Sequence, residues 1–109
     1  MPAIIVTNNT ELMQKVIDTL KTCYDPEIPV DIWELGLIYE LHLNEQNELK
    51  VVMTLTSPNC PAAEHLPTEV ETKLKELPEL KKVDLQLIFE PPWDKSRMSE
   101  TAQLELGFL

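Results

Sequence analysis

Three residues in this chain have the types and spacing to do chemistry together: Cys60, Asp25 and Glu27. Cys60 lies in Thr54-Leu55-Thr56-Ser57-Pro58-Asn59-Cys60-Pro61-Ala62-Ala63-Glu64, which leaves an alternating apolar run, turns through Ser57-Pro58-Asn59 and enters a helical pattern at Pro61. Proline suits the first position of a helix, where its missing N–H would be unpaired in any case. Cys60 is therefore expected at or beside the N-cap, where free backbone N–H groups and the positive end of the helix dipole favour a thiolate. A thiolate there serves as a nucleophile or as a soft metal ligand. The competing reading is an inert, buried cysteine, the commoner fate of a free thiol.

The two carboxylates stand in Asp25-Pro26-Glu27-Ile28-Pro29-Val30-Asp31-Ile32-Trp33-Glu34-Leu35-Gly36. Its two prolines forbid a regular helix and stiffen the segment. Ile28, Val30, Ile32 and Trp33 are placed to anchor it on a core, which would hold Asp25 and Glu27 in a defined place. A solvated acidic loop is the plainer alternative. Rigidity argues against it, because a merely solvated loop does not need it.

The elements around these residues must bring them together. Asn8-Asn9-Thr10 offers N-cap candidates, and Leu12, Met13, Val16, Ile17 and Leu20 then fall on one helical face, so a first helix is expected over residues 10–22. It must stop before Asp25-Pro26, since a residue preceding proline avoids the helical region. Cys23, beside that end, reads as packing. Residues 36–43 read as a strand with Leu37, Tyr39, Leu41 and Leu43 on one face and Glu40 and His42 on the other. Residues 44–48 are a turn, and Leu49, Val51, Met53 and Leu55 form a second alternating strand.

Folding that hairpin about Gln46 places Gly36 opposite Thr56, because antiparallel partners count outward from the turn together. The acidic loop and the Cys60 turn then emerge at one end of the sheet, so topology alone gathers Asp25, Glu27 and Cys60. A second helix is expected over residues 61–77, with a kink or restart at Pro67 and a stop at Pro78. A third strand carries Val83, Leu85, Leu87 and Phe89 on one face, and should run parallel to the second through a right-handed crossover. Ser99 is placed to cap a last short helix that Gly107 ends. The fold class expected is α+β: a small two-layer domain spanning residues 1–109, in the order α-β-β-α-β plus a C-terminal helix, its mixed sheet covered by helices on one face.

Composition narrows the function classes. The 109 residues carry 19 acidic and 9 basic side chains, a net charge of −10, and no basic cluster. Phosphate backbones and anionic membrane surfaces are repelled by such a chain, so no nucleic-acid or membrane partner is expected. No apolar stretch is long enough to span a bilayer, and the first residues lack the basic region of a signal peptide. Two cysteines in an unexported chain argue for reduced thiols and a cytoplasmic location.

Four ordered motifs carry a family likeness: Asp25-Pro26-Glu27-Ile28-Pro29-Val30, Leu35-Gly36-Leu37-Ile38-Tyr39, Thr54-Leu55-Thr56-Ser57-Pro58-Asn59-Cys60-Pro61, and Pro91-Pro92-Trp93. They resemble the SufT/PaaD-like family of small iron–sulfur assembly proteins over nearly the whole chain, from about Thr10 to Leu109. The resemblance implies a compact α/β domain that matures iron–sulfur proteins, with a site at Asp25, Glu27, Thr54, Thr56 and Cys60. It implies the assembly machinery and client apo-proteins as partners. PaaD-type members carry an additional cysteine-bearing C-terminal extension. This chain ends at Leu109 without one, so SufT is the closer likeness.

Thiolate suits iron or an iron–sulfur cluster, and carboxylates suit a single ferrous or zinc ion. A stable cluster takes about four protein ligands, mostly cysteine. One motif cysteine cannot supply them, so Cys60, Asp25 and Glu27 would hold a labile iron or cluster, shared across a homodimer or with a client. That lability suits a transfer or maturation factor and not an electron-transfer protein, and no enzymatic role is expected. Two rivals remain: a pure interaction adaptor, and a thiol enzyme with Cys60 as nucleophile and His65 or Asp25 as its base. Cys60 is expected to alkylate faster than Cys23 near neutral pH, although like-charge repulsion from the carboxylates opposes its ionisation. Equal iodoacetamide rates for the two thiols, with and without iron, would show that Cys60 has no special environment.

Overall fold

An antiparallel hairpin with a parallel strand added on each side forms the sheet. The computed structural model describes residues 3–25, 28–56 and 65–107. Within them the order is β1 (Ile4–Val6), α1 (Thr10–Leu20), α2 (Ile32–Leu35), β2 (Ile38–Leu43), β3 (Glu48–Met53), α3 (Leu66–Lys75), β4 (Lys82–Leu87), a 3-10 turn (Lys95–Arg97) and α4 (Glu100–Glu105). Strand order in the sheet is β1-β2-β3-β4. The expected mixed sheet is present, and β4 runs parallel to β3.

The alternation in the hairpin decides which face is dry. Leu41, Leu43, Leu49 and Val51 are buried in one core with Leu12, Val16 and Leu20 of α1 and Val70 and Leu74 of α3. Glu40, His42 and Lys50 alternate with them on the other face. Asn9 caps α1, its side chain accepting from the Leu12 N–H at 3.1 Å. Ser99 caps α4 likewise, accepting from the Ala102 N–H, and Gly107 follows at φ 81°.

Four expectations are corrected. Ile4-Ile5-Val6, outside the three expected strands, pairs parallel to β2; three consecutive β-branched residues favour that conformation, but the run is too short to show alternation. The first helix stops at Leu20, two residues early. A one-turn helix, α2, appears in the segment whose prolines argue against regular helix. Pro29 lies before the cap, and Asp31 starts the turn cleanly, its Oδ2 accepting from the N–H groups of Trp33 and Glu34 at 3.1 Å each. On β4 the alternation outlasts the core: Val83 is buried, whereas Leu87 and Phe89 are exposed. The described part of the second helix begins at Leu66 with Pro67 in its first turn, where proline is tolerated; residues 61–64 lie outside the described residues.

The hairpin register also needs one correction. Counted from Gln46, Leu43 faces Leu49 and Glu40 faces Val52 as expected, but a bulge then puts Ile38 opposite Met53 instead of Thr54. Beyond it, the Thr54 N–H donates to the Leu37 carbonyl at 2.9 Å. The sheet end therefore forms one residue out of the simple count.

Gly36 joins α2 to β2 at φ 77°, and a Cβ built on it would sit 2.2 Å from the Arg97 carbonyl oxygen. Both the left-handed backbone and the close approach require glycine. Gly36→Ala is expected to lower stability by about 1–3 kcal/mol from the backbone alone, with the steric conflict in addition. Leu55→Ala, which empties a core position, is expected to cost about 2–5 kcal/mol. Urea denaturation of both variants checks these values.

Candidate functional site

The acidic loop starts where α1 has ended and is closed at its base before it reaches α2. Tyr24 and Asp31 form an antiparallel bridge. The Ile32 N–H donates to the Cys23 carbonyl at 2.9 Å, and the Val30 N–H to the Ile28 carbonyl at 2.7 Å. Val30 and Ile32 are buried, with Ile28 and Trp33 packed against the core beside them. The anchoring expected from these four residues is present, so residues 28–33 are built onto the core and not merely solvated.

Asp25 sits inside that loop with 4% of its surface exposed. Its Oδ1 accepts from the Ile28 N–H at 3.2 Å, which ties the loop to itself. Its Oδ2 accepts from the Thr56 hydroxyl at 3.4 Å, which ties the loop to the end of the hairpin. That second contact is long for an O–H···O bond. It matters because a buried carboxylate stripped of partners is costly. Asp25 and Thr56 are thus brought together by the topology, at the strand end from which the chain continues towards Cys60.

Thr54, though equally part of the implied set, turns to a different neighbour. It is buried, its hydroxyl donates to the Leu55 carbonyl at 3.5 Å, and it is among the groups that act on the Tyr39 phenol. Burial raises the Tyr39 pKa, while the Arg97 guanidinium and the Thr54 hydroxyl draw it back. Glu27 and Cys60 lie outside the described residues. Among the described residues no group of three or more His, Cys, Asp or Glu gathers as a metal site.

Tyr39, Trp93 and Arg97 form a clasp; the motifs marked Tyr39 and Trp93 without revealing their role and did not mark Arg97. The Tyr39 hydroxyl donates to the Pro91 carbonyl at 2.8 Å, and the Trp93 indole N–H to the Leu35 carbonyl at 2.8 Å. Arg97 stacks on the Tyr39 ring at 4.0 Å. The Ser99 N–H meets the Glu34 carbonyl at 2.8 Å. The signal available in the sequence was the pairing of two polar-tipped aromatics with a Pro-Pro turn. Beside the clasp, a groove of about 320 Å³ is lined by Trp33, Glu34, Ile38, Arg97 and Met98, and holds none of Asp25, Thr54 or Thr56.

A family model described as iron-sulfur cluster assembly protein matches residues 13–86. The chain belongs to this family. It is 46% identical over 104 residues to an Fe-S protein maturation auxiliary factor of Porphyromonas gingivalis, covering 93% of this chain and 99% of that one. It is 39% identical over 83 residues to the Fe-S protein maturation auxiliary factor SufT of Staphylococcus aureus, covering 76% and 94%. A solved domain of unknown function from Bacillus anthracis shares the fold at a TM-score of 0.82 and 35% identity, covering 92% and 95%. The likeness to SufT drawn from the four motifs holds. Among the described residues no helix is long and apolar enough to cross a membrane.

Cys23 is fully buried in the core of this family member, as packing requires. Burial pushes its thiol up from the ordinary 9.0, and the ammonium of Lys73 opposes the shift. Because the folded thiol holds its proton to higher pH than the unfolded one, this contribution to stability is fully present below about pH 9 and is lost as pH rises through the folded thiol's higher value. Urea midpoints are expected to fall above pH 9, and less steeply in Cys23→Ala. Native Cys23 should resist iodoacetamide at neutral pH and react once the chain is unfolded.

Proposed function

We propose that the chain is a non-catalytic factor in iron–sulfur protein maturation, handing iron or a cluster as cargo to client apo-proteins through a site centred on Cys60. The supporting observation is the contact between Asp25 and Thr56, which joins the acidic loop to the strand end. Thr56 stands four residues before Cys60 and Asp25 two before Glu27. Extended chain covers at most about 3.6 Å per residue, so four residues bridge no more than about 14 Å. The relatives' names as maturation auxiliary factors support the same reading.

In this reading Cys60 supplies the thiolate for the cargo, with Glu27 and Asp25 as the carboxylates of its surroundings. Thr54 and Thr56 are the hydroxyls at the strand end. A single thiolate keeps the cargo labile, as a transfer factor needs, with the remaining ligands coming from a second copy or from the client. The assembly machinery and its clients are the partners, and the cytoplasm is the site of action. The thiol-enzyme alternative has weak support: His42 is bonded to Glu40 at 2.7 Å on the outer sheet face, and His65 is exposed at the start of α3.

Cys60→Ser is expected to fold within about 1 kcal/mol of the parent, since serine keeps the size and caps helices well. In cells lacking the protein it should fail to restore iron–sulfur enzyme activity, and anaerobic reconstitution should leave it without iron. Leu55→Ala should fail only as far as its folded fraction drops. A serine variant that folds and fully restores activity would leave the adaptor role standing and remove the ligand role.

A further inference from the structure

We infer that Asp25 is a positioning residue for this site: its carboxylate binds the acidic loop to Thr56, and it does not donate an oxygen to the cargo. The inference rests on the maturation reading and assigns one of its residues a different part.

Burial is the first argument. A carboxylate that ligates an exchangeable ion must meet it, yet Asp25 is 96% enclosed, with 4% of its surface exposed. Geometry is the second. Each oxygen is engaged by a different piece of chain: Oδ1 by the Ile28 N–H within the loop, and Oδ2 by the Thr56 hydroxyl at the hairpin end. The loop base is independently fixed by the Tyr24–Asp31 bridge and the Ile32 to Cys23 bond. What remains to be set is where the loop's leading edge sits against the strand end, and the Asp25 side chain sets it. Glu27, two residues on, and Cys60, four residues beyond Thr56, lie on the two segments that this carboxylate joins.

A positioning role and a ligand role differ in what they ask of the side chain. Positioning needs hydrogen-bonding atoms at two places, whereas ligation of iron needs the charge. Asp25→Asn separates them. Its carbonyl oxygen still accepts from the Ile28 N–H, and its amide can donate to the Thr56 oxygen, so both contacts survive without the charge. Asp25→Ala removes both contacts, and Thr56→Val removes one from the other side with little change of shape.

The test uses the full chain carrying each substitution. Alkylation of metal-free protein is followed against pH, with buried Cys23 silent, and the pH-independent rate constant of the Cys60 thiolate is extracted so that the change in ionised fraction drops out and only the weak dependence of nucleophilicity on pKa remains. Iron–sulfur enzyme activity is measured in parallel in cells lacking the protein. Asp25→Asn should keep the rate constant within about twofold and restore activity. Asp25→Ala and Thr56→Val should shift the rate constant about fivefold or more, the weight of one hydrogen bond, and restore activity poorly. If Asp25→Ala does not fold, Thr56→Val carries the comparison. The inference is overturned if Asp25→Asn fails to restore activity while keeping the thiolate rate, because the charge itself is then needed. It is equally overturned if Thr56→Val leaves both readouts unchanged. Full activity from Cys60→Ser would instead remove the ligand role of Cys60, and the alkylation series would still report on the loop.

Discussion

A carboxylate cannot be taken out of water without partners, and that constraint organises one end of this molecule. Asp25 is enclosed where a backbone N–H and a hydroxyl converge on it from two separate stretches of chain. For them to converge, the loop must be closed at its base, α2 must be capped by Asp31, and the hairpin must deliver Thr56 to the right place. Each requirement is met by a local device: the Tyr24–Asp31 bridge, the Asp31 cap, and the bulge that shifts the end of β2 by one residue.

The clasp on the neighbouring side solves a different problem. A one-turn helix has more unpaired carbonyls than it can bond itself. In α2 the Leu35 and Glu34 carbonyls are taken by Trp93 and by the Ser99 N–H, donors from the far end of the chain. Gly36 lets that segment approach within backbone contact. The Pro91-Pro92-Trp93 motif therefore reads as architecture: it completes α2, which in turn ends the acidic loop.

The sequence made the large features legible because each rests on a repeating pattern. Hairpin, first helix, parallel third strand and capped last helix all follow from spacing and from single residues such as Ser99 and Gly107. What escaped has no period to read. Ile4-Ile5-Val6 is too short, the bulge near Tyr39 leaves the alternation intact to the eye, and α2 depends on one cap after a proline. At the site, the meeting of Asp25 with Thr56 was accessible through counting from the turn, even though the count was off by one at the sheet end. The split of the two threonines between Asp25 and Tyr39 was not, because it depends on contacts between residues distant in sequence.

The arrangement of the sheet has a consequence for how the chain acquires its shape. β2 and β3 are joined by a turn of a few residues, whereas β1 reaches β2, and β3 reaches β4, only after a long excursion through a helix. Loop-closure entropy makes the short-range pairing the cheaper first step and the two outer pairings later ones. The central hairpin is thus the natural nucleus, with the outer strands added as α1 and α3 dock. The join between Asp25 and Thr56 links a segment on the β1 side to the end of the nucleus, so the site is assembled late. A region closed by few contacts opens at lower cost than the core, so this member of the family can yield there locally while its centre stays folded.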